Sequence, residues 1–468
     1  MELIKANQFI IEKKTTVNKK FYPKINFAAP IGWINDPNGL SIYKGYYHLF
    51  YQYYPYDAIH GPMHWGHARS KDGLNWEDLP VVLAPDRDYD QNGVFSGSAF
   101  IENDKFYLFY TGHIEKYGYR RENQNLALSH DGISFEKSSL NPLLDEKDLP
   151  EDISIEDFRD PKVFSNDGTY YMTVGTKTED DVGTILLFTS TNLTDWKYKS
   201  VLISDKNYLG KMAECPDLLL FEDRAVLFVS AMDYESDGEV FSHKTLIIEG
   251  EMDWEQFAFK PYKIKEMDLG FDYYAPQSTL EKDGSYFVIA WQQTWGKSLI
   301  PSELGHKWVG QMTIPQEIYL EDGKIKRRIH PKVLANKELK ESYPNLEGKI
   351  VLESADFISI EVEKLEDLYL DFFNDTENIR IDFKEDQAFI DRLNVSYPIL
   401  NDNGSDFSKK TFKFDTSEEG RLEIIVDKSS IQLYINDEES ISLLYYSENP
   451  IKKVGLCGKI KDIETYIL

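Results

Sequence analysis

The stretch "YKGYYHLFYQ", Tyr43–Gln52, is a tight turn at Lys44-Gly45 followed by a run dense in aromatic residues. A glycine or aspartate turn that opens into such a run marks the start of a β-strand. The same pattern returns as "ENDKFYLFYTG", "SNDGTYYMTVGT", "FEDRAVLFVSA" and "EKDGSYFVIAWQ". The turn residues Gly45, Asp104, Asp167, Asp223 and Asp283 are 59, 63, 56 and 60 positions apart. A second marker keeps step: "SKDGLNWEDL", "SHDGISFEKS", "STNLTDWKYK" and "EGEMDWEQFA" place Trp76, Phe135, Trp196 and Trp254 at gaps of 59, 61 and 58. Two markers with one period, several short strands per unit and no sustained helical periodicity predict a β-propeller. Five copies predict five blades.

Beyond "HPKVLANKELKESYPNLEGK" (residues 330–349) the texture changes. A helix-like segment is expected around Lys337–Ser342, ending before Pro344. Alternating strands such as "RLEIIVDKSSIQLYIND" follow, separated by Asn and Asp turns, and predict an antiparallel sandwich. The expected organisation is an all-β chain: a propeller over residues 1–335, a linker over 336–347 and a β-sandwich over 348–468.

The net charge of −28 argues against nucleic acid and anionic membranes as partners, because both require a basic footprint. Only Cys215 and Cys457 are present, too few for a disulfide framework and in keeping with a reducing compartment. The first twenty residues hold no apolar run of signal-peptide length, and no stretch approaches a membrane span. A soluble cytoplasmic protein is expected, in which the sequons at Asn192, Asn394 and Asn403 carry no meaning.

The period also organises the polar residues. Asp36 in "GWINDPNGL", Ser96 in "GVFSGS", Asp160 in "FRDPKV", Glu214 in "AECPDL" and Tyr274 in "YYAPQS" follow one another at 60, 64, 54 and 60 residues. Equivalent positions of a propeller converge on its axis, so three carboxylates from three blades are expected at one funnel. Burying like charges is unfavourable, which makes a purely structural role hard to sustain. The segments lack the oxygen-dense spacing of a Ca²⁺ loop. Paired carboxylates, one attacking and one protonated, are the machinery of glycoside hydrolysis, and neighbouring Trp and Phe offer apolar faces for sugars. His60, His64 and His67 in "HGPMHWGH" invite a zinc reading. The interposed Gly-Pro breaks the regular element that would align ligands, so loop or structural imidazoles are favoured and no metal or cofactor is expected. Cys215 has no His-Asn partners for a nucleophilic thiol and is expected to be a buried group beside the acid.

"GWINDPNGL", "MHWGHARSKDGLNWEDLPVVLAP", "GVFSGSA", "FRDPKVF", "ECPDL" and "DYYAPQ" occur in an order and phase that resemble glycoside hydrolase family 32, over roughly Phe21 to Pro331. That family holds invertases, sucrose-6-phosphate hydrolases and fructan hydrolases. "VDKSSIQLYINDEESISL" resembles its C-terminal sandwich. The resemblance implies a five-bladed propeller with a sandwich and a retaining β-fructofuranosidase acting on a small sugar, sucrose or its 6-phosphate. Fructo-oligosaccharide hydrolysis and fructosyl transfer are the alternatives. It implies Asp36 as nucleophile, Glu214 as general acid/base and Asp160 as transition-state stabiliser. Asn35, Gln52, His60, Trp65, Phe95, Ser96, Arg159, Tyr274 and Trp291 would line the fructose pocket. Two departures stand out: His60 where many members carry Trp, and Pro315-Gln316-Glu317 where they carry Pro-Arg-Glu. The His60–Trp65 loop resembles the intracellular, phosphate-accepting members. Basic residues for a sugar phosphate are expected among Lys116, Arg120, Arg121, Lys177, Lys297 and Lys307.

Overall fold

A computed structural model of the chain describes residues 1–236, 239–353, 355–366, 368–401 and 407–468; Asn403 lies outside them. The fold is a five-bladed β-propeller with a β-sandwich. The described residues form two compact units. One comprises Met1–Val17, Ala29–Met267 and Tyr274–Trp291, and the other Asn18–Ala28, Asp268–Tyr273 and Gln292–Leu468.

In the first unit, a helix α1 (Glu2–Lys13) precedes the strands. Each of four repeats builds an antiparallel meander in chain order. These are β1 (Gly32–Tyr43), β2 (Tyr46–Tyr54), β3 (His64–Ser70) and β4 (Trp76–Leu83); then β5 (Gly93–Glu102), β6 (Lys105–Lys116), β7 (Tyr119–Ser129) and β8 (Glu136–Lys137). The third is β9 (Arg159–Asn166), β10 (Thr169–Lys177), β11 (Gly183–Ser190) and β12 (Lys197–Ser204), and the fourth β13 (Met212–Leu220), β14 (Ala225–Ser236), β15 (Glu239–Asp253) and β16 (Ala258–Glu266). The fifth repeat contributes the hairpin of β17 (Tyr274–Leu280) and β18 (Tyr286–Trp291).

Both sequence markers have a structural cause. The first is the turn between the first two strands of each repeat, and its aromatic run is the second strand, buried on both faces. Phe50, Phe106 and Trp65 share one core with Tyr43, Val94 and Tyr110; Phe109, Phe158, Phe188 and Trp196 share another. Apolar side chains between twisted sheets supply the main force holding neighbouring blades. The second marker is a side-chain-capped turn. Asp72 Oδ1 accepts from the backbone N–H of Leu74 and Asn75, and Ser70 Oγ accepts from that of Gly73. Asp131 with Ser129, and Asn192 with Ser190, repeat the arrangement. The indole N–H of Trp76 and of Trp196 then closes onto the turn carbonyls of Gly73 and Leu193.

The second unit carries the sandwich. Its core includes Ile358, Ile360, Phe372, Ile379, Leu422, Leu433, Leu456 and Ile463. From Glu338 onward, the helix expected around Lys337–Ser342 and the linker expected over 336–347 are instead part of a long strand, Glu338–Glu353, paired antiparallel with Lys453–Ile467. Helix propensity is a weak preference, and a complete ladder of interstrand hydrogen bonds overrides it. Pro344 fits because this strand pairs on one side only, where a missing N–H is tolerated. Lys297, a candidate for phosphate binding, is buried: its ammonium pairs with Asp272 at 3.1 Å and donates to the Phe271 carbonyl, while Arg392 holds the other Asp272 oxygen. It is a structural cation.

One glycine decides whether blade two can curve at its inner edge. A Cβ on Gly97 would sit 2.0 Å from the Phe109 carbonyl oxygen. Gly97→Ala is therefore expected to destabilise the propeller by about 1–3 kcal/mol through overpacking, read as a lower thermal unfolding midpoint. An unchanged midpoint would contradict the close approach.

Candidate active site

All five inner strands, β1, β5, β9, β13 and β17, break register at the same place. The breaks fall between Ile34 and Pro37, Phe95 and Gly97, Arg159 and Lys162, Glu214 and Asp217, and Tyr274 and Gln277. In each, the inner strand has one residue more than its partner, which is a β-bulge. A proline follows the bulged residue in four blades (Pro37, Pro161, Pro216, Pro276) and Gly97 follows it in blade two. Asp160, Cys215 and Ala275 adopt left-handed backbone there, with φ of 64°, 49° and 50°. Such conformations in Cys and Ala are unfavourable by about 1–3 kcal/mol each and persist only where the surroundings enforce them.

The bulges sort the polar residues into two rings. Asn35, Phe95, Arg159, Glu214 and Tyr274 occupy one; Asp36, Ser96, Asp160, Cys215 and Ala275 the next. The sequence spacing had aligned Glu214 and Tyr274 with Asp36. The bulges instead place Cys215 and Ala275 at that level, with Glu214 and Tyr274 one residue earlier.

Hydrogen bonds knit the rings. Ser96 Oγ donates to Asp36 Oδ2 at 3.0 Å. The Cys215 backbone N–H donates to Asp160 Oδ2 at 2.8 Å, and the Cys215 thiol lies 3.6 Å from that oxygen and 3.8 Å from Asp36 Oδ2. Tyr274 Oη donates to Glu214 Oε2 at 2.6 Å, and Arg159 Nε lies 3.4 Å from Glu214 Oε1. Asp36 Oδ1 is buried with no hydrogen-bond donor of good geometry. Three carboxylates thus meet with different partners.

Electrostatics follows from this enclosure. Burial pushes the Asp36 carboxyl up to about 6, helped by the Glu214 charge and opposed by the amide of Asn35 and the hydroxyl of Ser96. Burial pushes Asp160 up to about 8; Arg159 and the Cys215 N–H pull it down, and Glu214 and Asp36 add to the rise. The same burial raises the Cys215 thiol well above its ordinary range, which keeps it neutral and unsuited to nucleophilic attack. Like charges in one enclosed site cannot all ionise together, so the cluster retains a proton near neutral pH.

The remaining expected residues form the walls. Asn35 accepts the Trp33 indole N–H at 2.8 Å, and Trp33 lies 6.0 Å from the Trp291 ring and 6.0 Å from His60, edge to face. Gln52 Nε2 donates to the Val94 carbonyl, which ties it to the base of the blade-two strand. Trp65 does not reach the funnel surface. It is 0 % exposed, packs in the inter-blade core and donates its indole N–H to the Phe95 carbonyl, so it acts on the funnel only through Phe95. His64 and His67 are buried; His64 Nδ1 bonds the Pro62 carbonyl at 3.0 Å, and His67 bonds His48 at 2.9 Å and stacks on Phe50.

Sequence reasoning missed a layer behind the rings. Glu122, Asn123, Gln124 and Asn125 are consecutive in β7 and all at most 3 % exposed. Glu122 takes Arg159 Nη1 through both oxygens, at 3.0 and 2.8 Å, and Asp157 takes Nη2 at 2.9 Å. Gln124 donates to the Phe158 carbonyl, and Thr111 accepts the Asp160 N–H. The available signal was the unbroken polar run inside a strand, where one apolar face is the rule.

Residues 26–331 match the glycosyl hydrolases family 32 N-terminal domain, and residues 324–464 match the glycosyl hydrolases family 32 C-terminal domain. The chain is 34% identical to a sucrose-6-phosphate hydrolase of Zymomonas mobilis, over 97% of this chain and 91% of the relative. It is 34% identical to a raffinose invertase of Escherichia coli, over 93% and 92%. Among solved structures, the β-fructofuranosidase of Bombyx mori superposes with a TM-score of 0.84 at 28% identity, over 99% of this chain and 96% of that one. The sucrose-6-phosphate hydrolase of Lactobacillus gasseri gives 0.86 at 25% identity, over 98% and 96%.

Proposed function

We propose that this chain, which belongs to family 32 of the glycoside hydrolases, is a retaining β-fructofuranosidase that hydrolyses sucrose 6-phosphate, sucrose or both to release fructose. The observation that carries the reading is the unlike environment of Asp36 and Glu214. Asp36 keeps one buried oxygen, Oδ1, that no donor of good geometry occupies among the described residues, which suits a nucleophile. Glu214 is the more open of the two at 17 % side-chain exposure, oriented by Tyr274 and Arg159. In this reading Asp36 attacks the anomeric carbon of the fructosyl unit while Glu214 gives its proton to the departing glycosidic oxygen. Water then releases fructose, with Glu214 taking a proton from it. Asp160, held by the Cys215 N–H, binds fructose hydroxyls. The residues supply all of this chemistry without a cofactor.

The phosphate of sucrose 6-phosphate is on the leaving glucosyl unit, so its contacts belong at the funnel rim. Lys297 is structural, which leaves the blade-two hairpin with Lys116, Arg120 and Arg121, together with Lys177 of blade three and the exposed Lys307. Arg120 and Lys177 already share Asp157, and Arg121 pairs with Asp145 and Glu146. A rim contact of this kind is worth about 1 kcal/mol, so the preference over sucrose is a modest several-fold. A phosphorylated intracellular substrate and two free thiols support a cytoplasmic location. Among the described residues, no helix is long and apolar enough to cross a membrane.

Three outcomes test the reading. Asp36→Ala and Glu214→Ala each reduce sucrose turnover by about a hundred-fold or more while far-UV circular dichroism stays unchanged. A substrate with a good leaving group restores fructosylation only in the Glu214 variant. Near-normal sucrose turnover by Glu214→Ala refutes the assignment, and NMR showing inverted fructose refutes the retaining mechanism.

Ser96→Ala tests the electrostatics. Losing that donor disfavours the ionised Asp36, whose carboxyl then rises above about 6. Activity that needs ionised Asp36 is lost as pH falls, so the acid limb of kcat/KM moves to higher pH by about one unit. An unmoved limb excludes Asp36 as the group that sets it.

For substrate choice, kcat/KM for sucrose 6-phosphate and for sucrose are compared at low and high salt. The expected phosphate preference shrinks with salt. Equal values at low salt mean no phosphate contact, and faster release from inulin than from either disaccharide would mean a fructan hydrolase.

A further inference from the structure

We infer that Glu122 is a positioning residue for Arg159 and, through it, sets the charge felt by Glu214; the inference rests on the role of Glu214 proposed above. Glu122 is in β7, outside both rings, and is 0 % exposed. Its two oxygens grip one guanidinium nitrogen, at 3.0 and 2.8 Å. Its Oε1 also accepts from His113 Nδ1 at 3.1 Å. The His113 ring in turn stacks on Phe95, with centroids 4.1 Å apart and planes within 8°. One carboxylate therefore fixes two members of the funnel ring: Arg159 directly, and Phe95 through an imidazole.

The charges around Arg159 explain why such a group is needed. The guanidinium faces Glu214 from β13 and the adjacent Asp160, and is held from behind by Glu122 and by Asp157. Asp157 is itself shared with Arg120 of β7 and Lys177 of β10. Apart from His113, whose Nδ1 is 3.1 Å from Oε1, Arg159 is the one cationic side chain within ion-pair distance of Glu122 among the described residues. Asp36 is the third carboxyl coupled to Glu214 and Asp160; Tyr274 and Cys215 also face them, and burial holds those two neutral. A cation facing a general acid favours loss of its proton. Glu122 offsets that cation while leaving its Nε aimed at Glu214, so orientation is obtained without a full positive charge at the acid. A buried pair of this kind also locks the rotamer of a long side chain, as a site held in a fixed geometry requires.

The test compares Glu122→Gln and Glu122→Asp with the wild-type chain on sucrose. Glu122→Gln keeps the shape and removes the charge. Its kcat is expected to fall on the order of a hundred-fold with KM changed far less. The alkaline limb of its kcat/KM profile, set by loss of the catalytic proton, is expected to move to lower pH by about one unit. Glu122→Asp keeps the charge and shortens the reach, so kcat falls while the alkaline limb stays near the wild-type position. A purely structural role predicts a lower unfolding midpoint and a Glu122→Gln profile that superimposes on wild type after scaling; that result overturns the inference. If Glu122→Gln does not fold, Asp157→Asn removes charge from the other flank of Arg159, and its alkaline limb must move the same way or the inference fails. Wild-type turnover and the Glu214→Ala loss are measured in the same series. If those two fail, the functional reading falls and this inference with it; if they hold and the limb stays, only this inference falls.

Discussion

Everything at the funnel depends on one backbone constraint, an extra residue in each inner strand. In a regular strand successive side chains point to opposite faces, so neighbours such as Asn35 and Asp36 could not both serve one site. The bulge breaks that alternation and brings two consecutive residues per blade to the same opening. The strained backbone of Asp160, Cys215 and Ala275 is the local consequence. The proline or glycine after each bulge has the matching cause, since a ladder donor is not needed there and Gly97 meets a carbonyl where no side chain fits. The inter-blade cores of aromatic residues hold this geometry in place.

The bulges concentrate acidic groups, and the electrostatics of the site follows from how they are separated. Asp36 has a hydroxyl and an amide, Asp160 a backbone N–H, and Glu214 a phenol and a guanidinium. Desolvation acts on all of them, and the partners differentiate them. Arg159 is the pivot, because it touches both the ring and the layer behind. A chain with a net charge of −28 places this buried cation where four carboxylates face it. Solvent screening is weakest there, so each of those charges counts for more than any on the surface.

The repeat period and its turn chemistry were legible because both are local. Gly45 or Asp104 must turn wherever the chain folds, and Asp72, Asp131 and Asn192 cap their own backbones within three residues. Aromatic runs mark buried strands for the same reason. Local preference also misled: Lys337–Ser342 has helical composition, but from Glu338 it is held in a strand by a partner over a hundred residues away. Lys297 looked like a rim cation and is buried against Asp272 and Arg392.

By itself, the sequence determined the blade count, the order of the motifs and which residue types share a phase, because periodicity survives without knowledge of contacts. Only the tertiary structure decided the level each residue occupies. A bulge moves Glu214 and Cys215 by one position relative to Asp36, and that shift depends on the register with β14, not on spacing alone. Tertiary structure likewise decided that Trp65 supports Phe95 from the core. It made Glu122 a partner of Arg159, since thirty-seven residues of chain separate the two and only the packing of neighbouring blades brings them together.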